Sequence, residues 1–176
     1  NGVLKRATDT GDIYTKGMAY TSYGTSCYYK GQLDEAENNL LKGDTICKKT
    51  SLVWFGAWAR FKLGNTYFDM AEYEKAEIYY EKGFYTLEEG RILPSCVNTF
   101  KLAVARAKVL NNDQDTNLDE LLEYYENNQF RVFEGSNARS IGEILLNIND
   151  QHISQAEEWI KKGIETNKRN GMMWEI

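Results

Sequence analysis

Few of the residue types that usually carry reactions are arranged here to do so. The single histidine, His152, stands at a predicted turn, a place suited to a solvated or capping residue. The three cysteines, Cys27, Cys47 and Cys96, are 20 and 49 residues apart. Without a CxxC pair they offer neither a disulfide framework nor a zinc site, and they read as reduced, small apolar residues of a cytoplasmic protein. No GxSxG, P-loop, HExxH or Asp-rich metal loop occurs. The acidic stretches, Glu74, Glu77 and Glu81 and then Asp119, Glu120, Glu123 and Glu126, look like solvated helix faces, because paired carboxylates doing acid–base work need a pocket. The expectation is a chain with no catalytic residues, no metal and no cofactor.

What the chain offers instead is aromatic area. Twelve Tyr, seven Phe and four Trp in 176 residues call either for many packing layers or for a surface that binds something. Trp54, Trp58, Phe61, Asn65 and Phe68 follow one another at i, i+4, i+7, i+11 and i+14, which puts them along one side of a helix. Basic residues cluster nearby: Lys101, Arg106 and Lys108 occur in a stretch without an acid from 93 to 112. The whole chain is nevertheless acidic, with a net charge of −5, which argues against the phosphate-neutralising stripe of a nucleic-acid binder. No run of 18 apolar residues could span a membrane. The N-terminal residues Asn1 to Arg6, with neither an initiator Met nor the apolar core of a signal peptide, look like the cut end of a larger protein.

The elements that would position these residues come from an internal repeat. Leu33-Asp34-Glu35-Ala36-Glu37, Leu40 and Lys42-Gly43 return forty residues later as Tyr73-Glu74-Lys75-Ala76-Glu77, Tyr80 and Lys82-Gly83. Eighty residues beyond those stand Ile153-Ser154-Gln155-Ala156-Glu157, Ile160 and Lys162-Gly163. A degenerate copy, Leu118-Asp119-Glu120-Leu121-Leu122 with Tyr125, lies between them, displaced by the polar run 111–115. There Leu121 replaces the Ala and Asn127-Asn128 replace Lys-Gly, so a looser helix pair is expected. Upstream of each copy runs a second helical pattern: Tyr23-Gly24 with Cys27, Leu63-Gly64 with Tyr67, Ile141-Gly142 with Leu145, and Phe100, Ala103, Val104 and Ala107 in the third unit.

Each unit reads as helix A, tight turn, helix B. The spacing predicts A helices at about 12–30, 51–70, 94–110 and 134–148, and B helices at about 33–48, 73–89, 117–129 and 152–168. Residues 1–9 would end an earlier B helix, and Trp174, 120 residues after Trp54, would begin a further repeat. Pro94 suits a first helical turn, Ser51 and Asp150 suit N-caps, and Gly90 suits a C-terminal stop. A helix-interior Gly costs about 1 kcal/mol relative to Ala. Gly24, Gly64 and Gly142 are therefore expected to allow close approach of A to B, with Ala36, Ala76 and Ala156 as the facing small residues.

Leu63-Gly64-x-x-Tyr67 followed by Ala76-x-x-x-Tyr80 resembles the core of the tetratricopeptide (TPR) repeat, and the likeness extends from about 12 to 168. Arg60 stands where the TPR pattern has Trp, and the period is near forty rather than the usual ~34. That longer period resembles the arrays of large bacterial signalling ATPases, transcription regulators and adenylate cyclases. The resemblance implies an all-α solenoid of antiparallel helix pairs: one repeat domain over 1–176, with repeats at about 12–50, 51–90, 94–129 and 134–168, wound as a right-handed superhelix. It implies a groove lined by A helices, formed here by Tyr28, Trp58, Phe61, Asn65, Phe68, Asn98, Lys101, Lys108 and Arg139. These would present an aromatic floor and a basic rim to a protein or peptide. The other assignment for the aromatic stripe is packing between neighbouring A helices. Thr21 and Thr25 stand where the chaperone-binding members of the family carry Lys and Asn, so that particular function is not implied. The expected role is a protein-binding scaffold, a regulatory or sensor segment of a larger signalling protein. Self-association into a homo-oligomer is the main alternative, and single-strand RNA binding a weaker one.

Overall fold

The structure, a computed structural model, describes residues 2–9, 11–113, 115–128 and 130–172, with the backbone alone for 3, 4, 8, 94, 95 and 150. Among the described residues all regular structure is helical. The elements are α1 (Gly2–Asp9), α2 (Ile13–Tyr29), α3 (Leu33–Thr50), α4 (Val53–Asp69), α5 (Tyr73–Gly90), α6 (Pro94–Leu110), α7 (Leu118–Glu126), α8 (Arg131–Ile148) and α9 (Ile153–Arg169), with a short 3-10 turn at Asp150–His152 before α9. The A helices of the repeat are α2, α4, α6 and α8, and the B helices are α3, α5, α7 and α9. No helix among the described residues is long and apolar enough to cross a membrane. Val3 and Leu4 as side chains, and Trp174, lie outside the described residues.

Local chemistry explains most helix ends. The Asp12 carboxylate accepts the backbone N–H of Tyr14 and of Thr15, each at 3.1 Å, and so caps α2. Asn117 caps α7 by accepting from Glu120 N–H at 3.3 Å. Pro94 begins α6, where its missing N–H costs nothing, and Gly90 is the last residue of α5. Two expected caps are misplaced. Ser51 does not start α4; it closes α3 in the left-handed conformation, at φ 56°, and Leu52 precedes α4 without a side-chain cap. Asp150 lies inside the 3-10 turn, whose N-cap is Asn149, accepting from Gln151 N–H at 3.0 Å; His152, the residue before α9, makes no side-chain cap bond.

Most of the connections turn on a left-handed residue, at one of two recurring places. Between A and B helices a left-handed residue stands at Gly31, Ala71 and Asn112, with φ of 71°, 60° and 65°. Between B and the next A helix it stands at Ser51 and Arg91, with φ of 56° and 50°, and Gly171 repeats it after α9 at 71°.

Contacts divide the chain into two compact units, Asn1–Ile92 and Leu93–Ile176, parted where the second predicted repeat gives way to the third. In the first unit α1 packs on α2, α2 pairs with α3 and α4 with α5, while α3 and α2 both pack on α4. Pairing is antiparallel. A Cβ added at Gly24 would stand 2.7 Å from Leu40 Cγ, and one at Gly43 would stand 2.9 Å from the Thr21 backbone N, so residue numbers rise on one helix as they fall on the other. In the α4–α5 pair a Cβ at Gly64 would collide with the Tyr80 ring, which is wholly buried.

The glycines thus do allow close approach, but the residue they receive is not the expected Ala. It lies one turn later on helix B: Leu40, Tyr80 and, in the second unit, Ile160, whose Cγ1 would be 2.6 Å from a Cβ at Gly142. At Gly142 an Ala stands among the nearest groups too, through the Ala156 carbonyl at 2.9 Å. The B-helix glycines work in the opposite sense. Gly163 lies against the backbone of α8, 2.7 Å from Gly135 O and 3.0 Å from Arg139 N for an added Cβ. The α2–α3 and α8–α9 seams are therefore each locked at two points by glycines facing in opposite directions.

The second unit has its core in Leu102, Val109, Leu121, Ile141, Ile144, Leu145 and Ala156. Here α8 and α9 form the close pair, and α6 runs alongside α8, with Thr99 Oγ1 accepting from Asn137 Nδ2 at 3.1 Å. Helix α7 is nine residues long and contributes one buried residue, Leu121. The expected looser third pair is what the structure contains.

Candidate functional site

The nine residues expected to line a binding surface divide between the units, Tyr28, Trp58, Phe61, Asn65 and Phe68 in the first and Asn98, Lys101, Lys108 and Arg139 in the second. In the first unit the aromatic stripe on α4 is a ladder of rings. Trp54 stacks on Trp58 with centroids 5.7 Å apart, and Trp58 stacks on Phe61 at 5.6 Å. The ladder continues across the seam, where Phe61 meets Tyr80 at 5.5 Å. Trp54 and Trp58 are half-buried, whereas Phe61 is only 8% exposed. The stripe therefore tilts into the seam. Position 61 is three residues before the seam glycine, and its counterpart in α2, Thr21, is fully buried over Gly43.

The remaining residues of this stripe already have partners. Asn65 Oδ1 accepts from Tyr80 Oη at 2.8 Å, fixing the ring that fills the Gly64 notch. Phe68 meets Tyr73 edge-on at 5.2 Å, across the A–B turn. Tyr28, at the end of α2, lies edge-on to Tyr29 at 5.3 Å.

Lys62 was not among the expected site residues, yet it organises this end of the surface. It is wholly buried, and its Nζ donates to Tyr29 Oη at 2.7 Å. The same ammonium lies 4.4 Å from the Tyr29 ring centroid, 4.8 Å from Trp58, 5.2 Å from Tyr28 and 5.8 Å from Phe61. Half of this arrangement was visible in sequence, because Trp58 and Lys62 are one helical turn apart. The other half comes from α2, 33 residues away, and no helical period points to it.

Arg60, the departure from the TPR pattern, also has a structural use. Its Nε binds Asp44 Oδ1 on α3 at 2.7 Å, and its Nη1 donates to Lys82 O at 3.3 Å and to Thr86 Oγ1 on α5. One guanidinium thus joins the B helices on either side of α4, using the planar fork that an indole lacks. Tyr67 makes a related link, donating from Oη to Glu37 Oε1 on α3 at 2.6 Å while its ring stacks on Tyr79 at 5.2 Å. Burial, reinforced by the Glu37 carboxylate, pushes the Tyr67 phenol well above its ordinary pKa.

In the second unit the basic residues are held by neighbours. Lys101 Nζ lies over the Tyr124 ring on α7, 5.2 Å from its centroid. Glu143 receives two guanidiniums, Arg106 Nη1 at 3.1 Å and Arg139 Nε at 3.3 Å. Arg106 is buried, and Arg139 is part of the seam over Gly163. Asn98 and Lys108 are half-buried on α6. Elsewhere on this unit Lys162 Nζ lies 4.2 Å from Trp159 and 4.5 Å from Tyr125.

The thiols are chemically quiet. All three are buried and free of disulfides, and burial raises each pKa, for Cys96 to about 11, so the nucleophilic thiolate is scarce at neutral pH. What the arrangement can do is offer ring faces and cations, which suits recognition.

Compared with known proteins, the chain matches no family model and no curated sequence.

Proposed function

We propose that this chain is a TPR-like repeat scaffold without catalytic activity, which binds another polypeptide as a regulatory or sensor segment of a larger cytoplasmic signalling protein. The observation that carries the reading is the half-buried Trp54–Trp58 stack on α4, with Tyr28 close by at the end of α2. The α4–α5 seam is closed by Gly64, Tyr80 and Phe61, so the two indoles supply apolar area beyond what that seam uses. Large rigid aromatics of this kind lose little rotamer entropy on binding and dominate binding hot spots. In the second unit Arg106 and Arg139 converge on Glu143 while Lys101 and Lys108 stand on α6, and this basic set favours an acidic segment or a C-terminal carboxylate there.

The test is a pull-down with mass spectrometry, followed by binding kinetics of variants whose fold is confirmed by circular dichroism. Trp58→Ala is expected to cost at least ~2 kcal/mol of affinity, mostly through faster dissociation. Lys101→Glu is expected to slow association in a salt-dependent way. Wild-type kinetics for both variants would move the site away from the A helices. A second reading, self-association, is favoured by Ile78 and Tyr85, which are seven residues apart on one face of α5 and 40% and 53% exposed. Light scattering separates the two, since a concentration-dependent mass abolished by Tyr85→Lys would favour self-association.

A further inference from the structure

Lysine is among the residues least often buried, because its ammonium loses its hydration and must be compensated. Lys62 is buried completely, and an enclosure of rings is part of its compensation. Four centroids lie between 4.4 and 5.8 Å from Nζ, within the ~6 Å over which a ring quadrupole attracts a cation. Two of the rings, Tyr28 and Tyr29, stand edge to face at the end of α2, and the other two, Trp58 and Phe61, stack on α4. The Tyr29 hydroxyl takes one ammonium proton at 2.7 Å, so the cage combines ring faces with a hydrogen-bond acceptor.

We propose that Tyr28, Tyr29, Trp58 and Phe61 form an ammonium-binding cage whose resident ligand is the chain's own Lys62. The class of ligand is an alkylammonium, primary or methylated: a compact cation on an apolar stem, which ring faces accept and anions cannot enter. Supplied from α4 itself, the ammonium is present at high effective concentration and fastens α4 to the end of α2. The cage therefore acts as a cation–π bolt between the first and second repeats, and its occupant excludes competing ammonium ions from solution.

A lysine that is merely packed makes different predictions, because its stem would do the same work without the charge. In the intact chain, the Lys62 ε-methylene protons are expected upfield of the other lysines under the ring currents of the cage, with a slowly exchanging ammonium signal. An ε-methylene shift in the ordinary lysine range overturns the proposal, and this readout needs no variant. In Lys62→Ala, ethylammonium and tetramethylammonium chloride are expected to raise the melting temperature and change tryptophan fluorescence saturably, relative to sodium chloride at equal ionic strength. The same salts are expected to leave the wild type unaffected. Adding Trp58→Ala to Lys62→Ala should weaken ammonium binding about tenfold or more. A folded Lys62→Ala that responds alike to ammonium and sodium salts overturns the proposal, as does a Lys62→Met chain as heat-stable as the wild type. Should Lys62→Ala fail to fold, the wild-type spectrum and the Lys62→Met melting temperature decide.

Discussion

The second and third helix pairs occupy corresponding places in the repeat, yet they pack in different ways. In the second, α5 is 18 residues long and buries Ala76, Tyr80, Gly83 and Leu87. In the third, α7 has nine residues and buries only Leu121. The sequence differences sit at the seam. Val104 stands where Gly64 is, Leu121 where Ala76 is, and Asn128 where Gly83 is. With Gly64 the ring of Tyr80 sinks to the backbone of α4, whereas Val104, at the matching place of the repeat, carries a side chain and leaves no such notch. Tyr125, which corresponds to Tyr80, stays half-buried and rests edge-on against Trp159 at 4.8 Å. The contrast teaches that hydrophobic periodicity makes a helix pair, while small residues on both sides determine how much of it is buried.

The strongest test removes the ring at each place. Tyr80→Ala is expected to cost ~3–5 kcal/mol, since it empties a fully buried site. Tyr125→Ala should cost less than about 2 kcal/mol, because its ring is partly in water already. Urea denaturation monitored by circular dichroism measures both, and equal costs would break the contrast. Next in size is overpacking. Ala76→Phe puts a ring into a position with no exposure and should cost about 1–3 kcal/mol, while Leu121→Phe, in the looser pair, should cost below about 1 kcal/mol. An unchanged urea midpoint for Ala76→Phe would count against the seam.

A smaller effect is expected from pH. Tyr67 has its phenol pKa raised by burial and then by the Glu37 bond, and Tyr124, in the third pair, has its raised to about 12 by burial and then by the Glu120 bond. In the unfolded chain both titrate near ~10. The folded protein therefore keeps these protons when the unfolded chain has lost them, so this stability is complete below about pH 10 and falls as pH climbs towards the folded values. Tyr67 links two helices, whereas Glu120 and Tyr124 belong to the same helix. Tyr67→Phe is thus expected to flatten the alkaline loss more than Tyr124→Phe does, and to cost about 0.5–1.5 kcal/mol at neutral pH. Melting temperatures from pH 8 to 11.5 would show it. The smallest effect belongs outside any seam: Lys161 and Glu157 pair at 2.6 Å on the exposed face of α9, and Lys161→Ala should leave the melting temperature unchanged.

The helices themselves were legible because each carries its own period, and the observed bounds of α2 to α9 fall within three residues of those read from the spacing. The seam was half legible. Gly24, Gly64 and Gly142 stood out as costly, but locating what they receive requires knowing how far one helix slides along the other, and that offset put Leu40, Tyr80 and Ile160 in the notch instead of the alanines. On α4 the expected face and the seam overlap at Phe61, since residues 61 and 64 are themselves helical neighbours. Residue preference makes Ser51 an N-cap, whereas the chain reversal there demands a left-handed residue whatever its side chain. Lys62 carries no such signal in the sequence, because the rings around it come from two helices, and a period within one helix carries no information about the other.

The left-handed residues at the helix junctions carry a different consequence, one for how such a chain can lengthen or shorten. Gly31 and Ala71 turn an A helix into a B helix with φ of 71° and 60°, at the same point of successive repeats. A recombination event that deletes residues 32–71 would join Gly31 directly to Glu72, leaving one junction of the same kind and bringing α2 before α5, so that Gly24 would take the place of Gly64 opposite Tyr80. A duplication of that segment would add a B and an A helix with equal continuity of backbone. Junctions that share a conformation make forty residues a crossover cassette, and the number of helix pairs becomes a quantity that unequal crossing-over can change without having to invent a new turn.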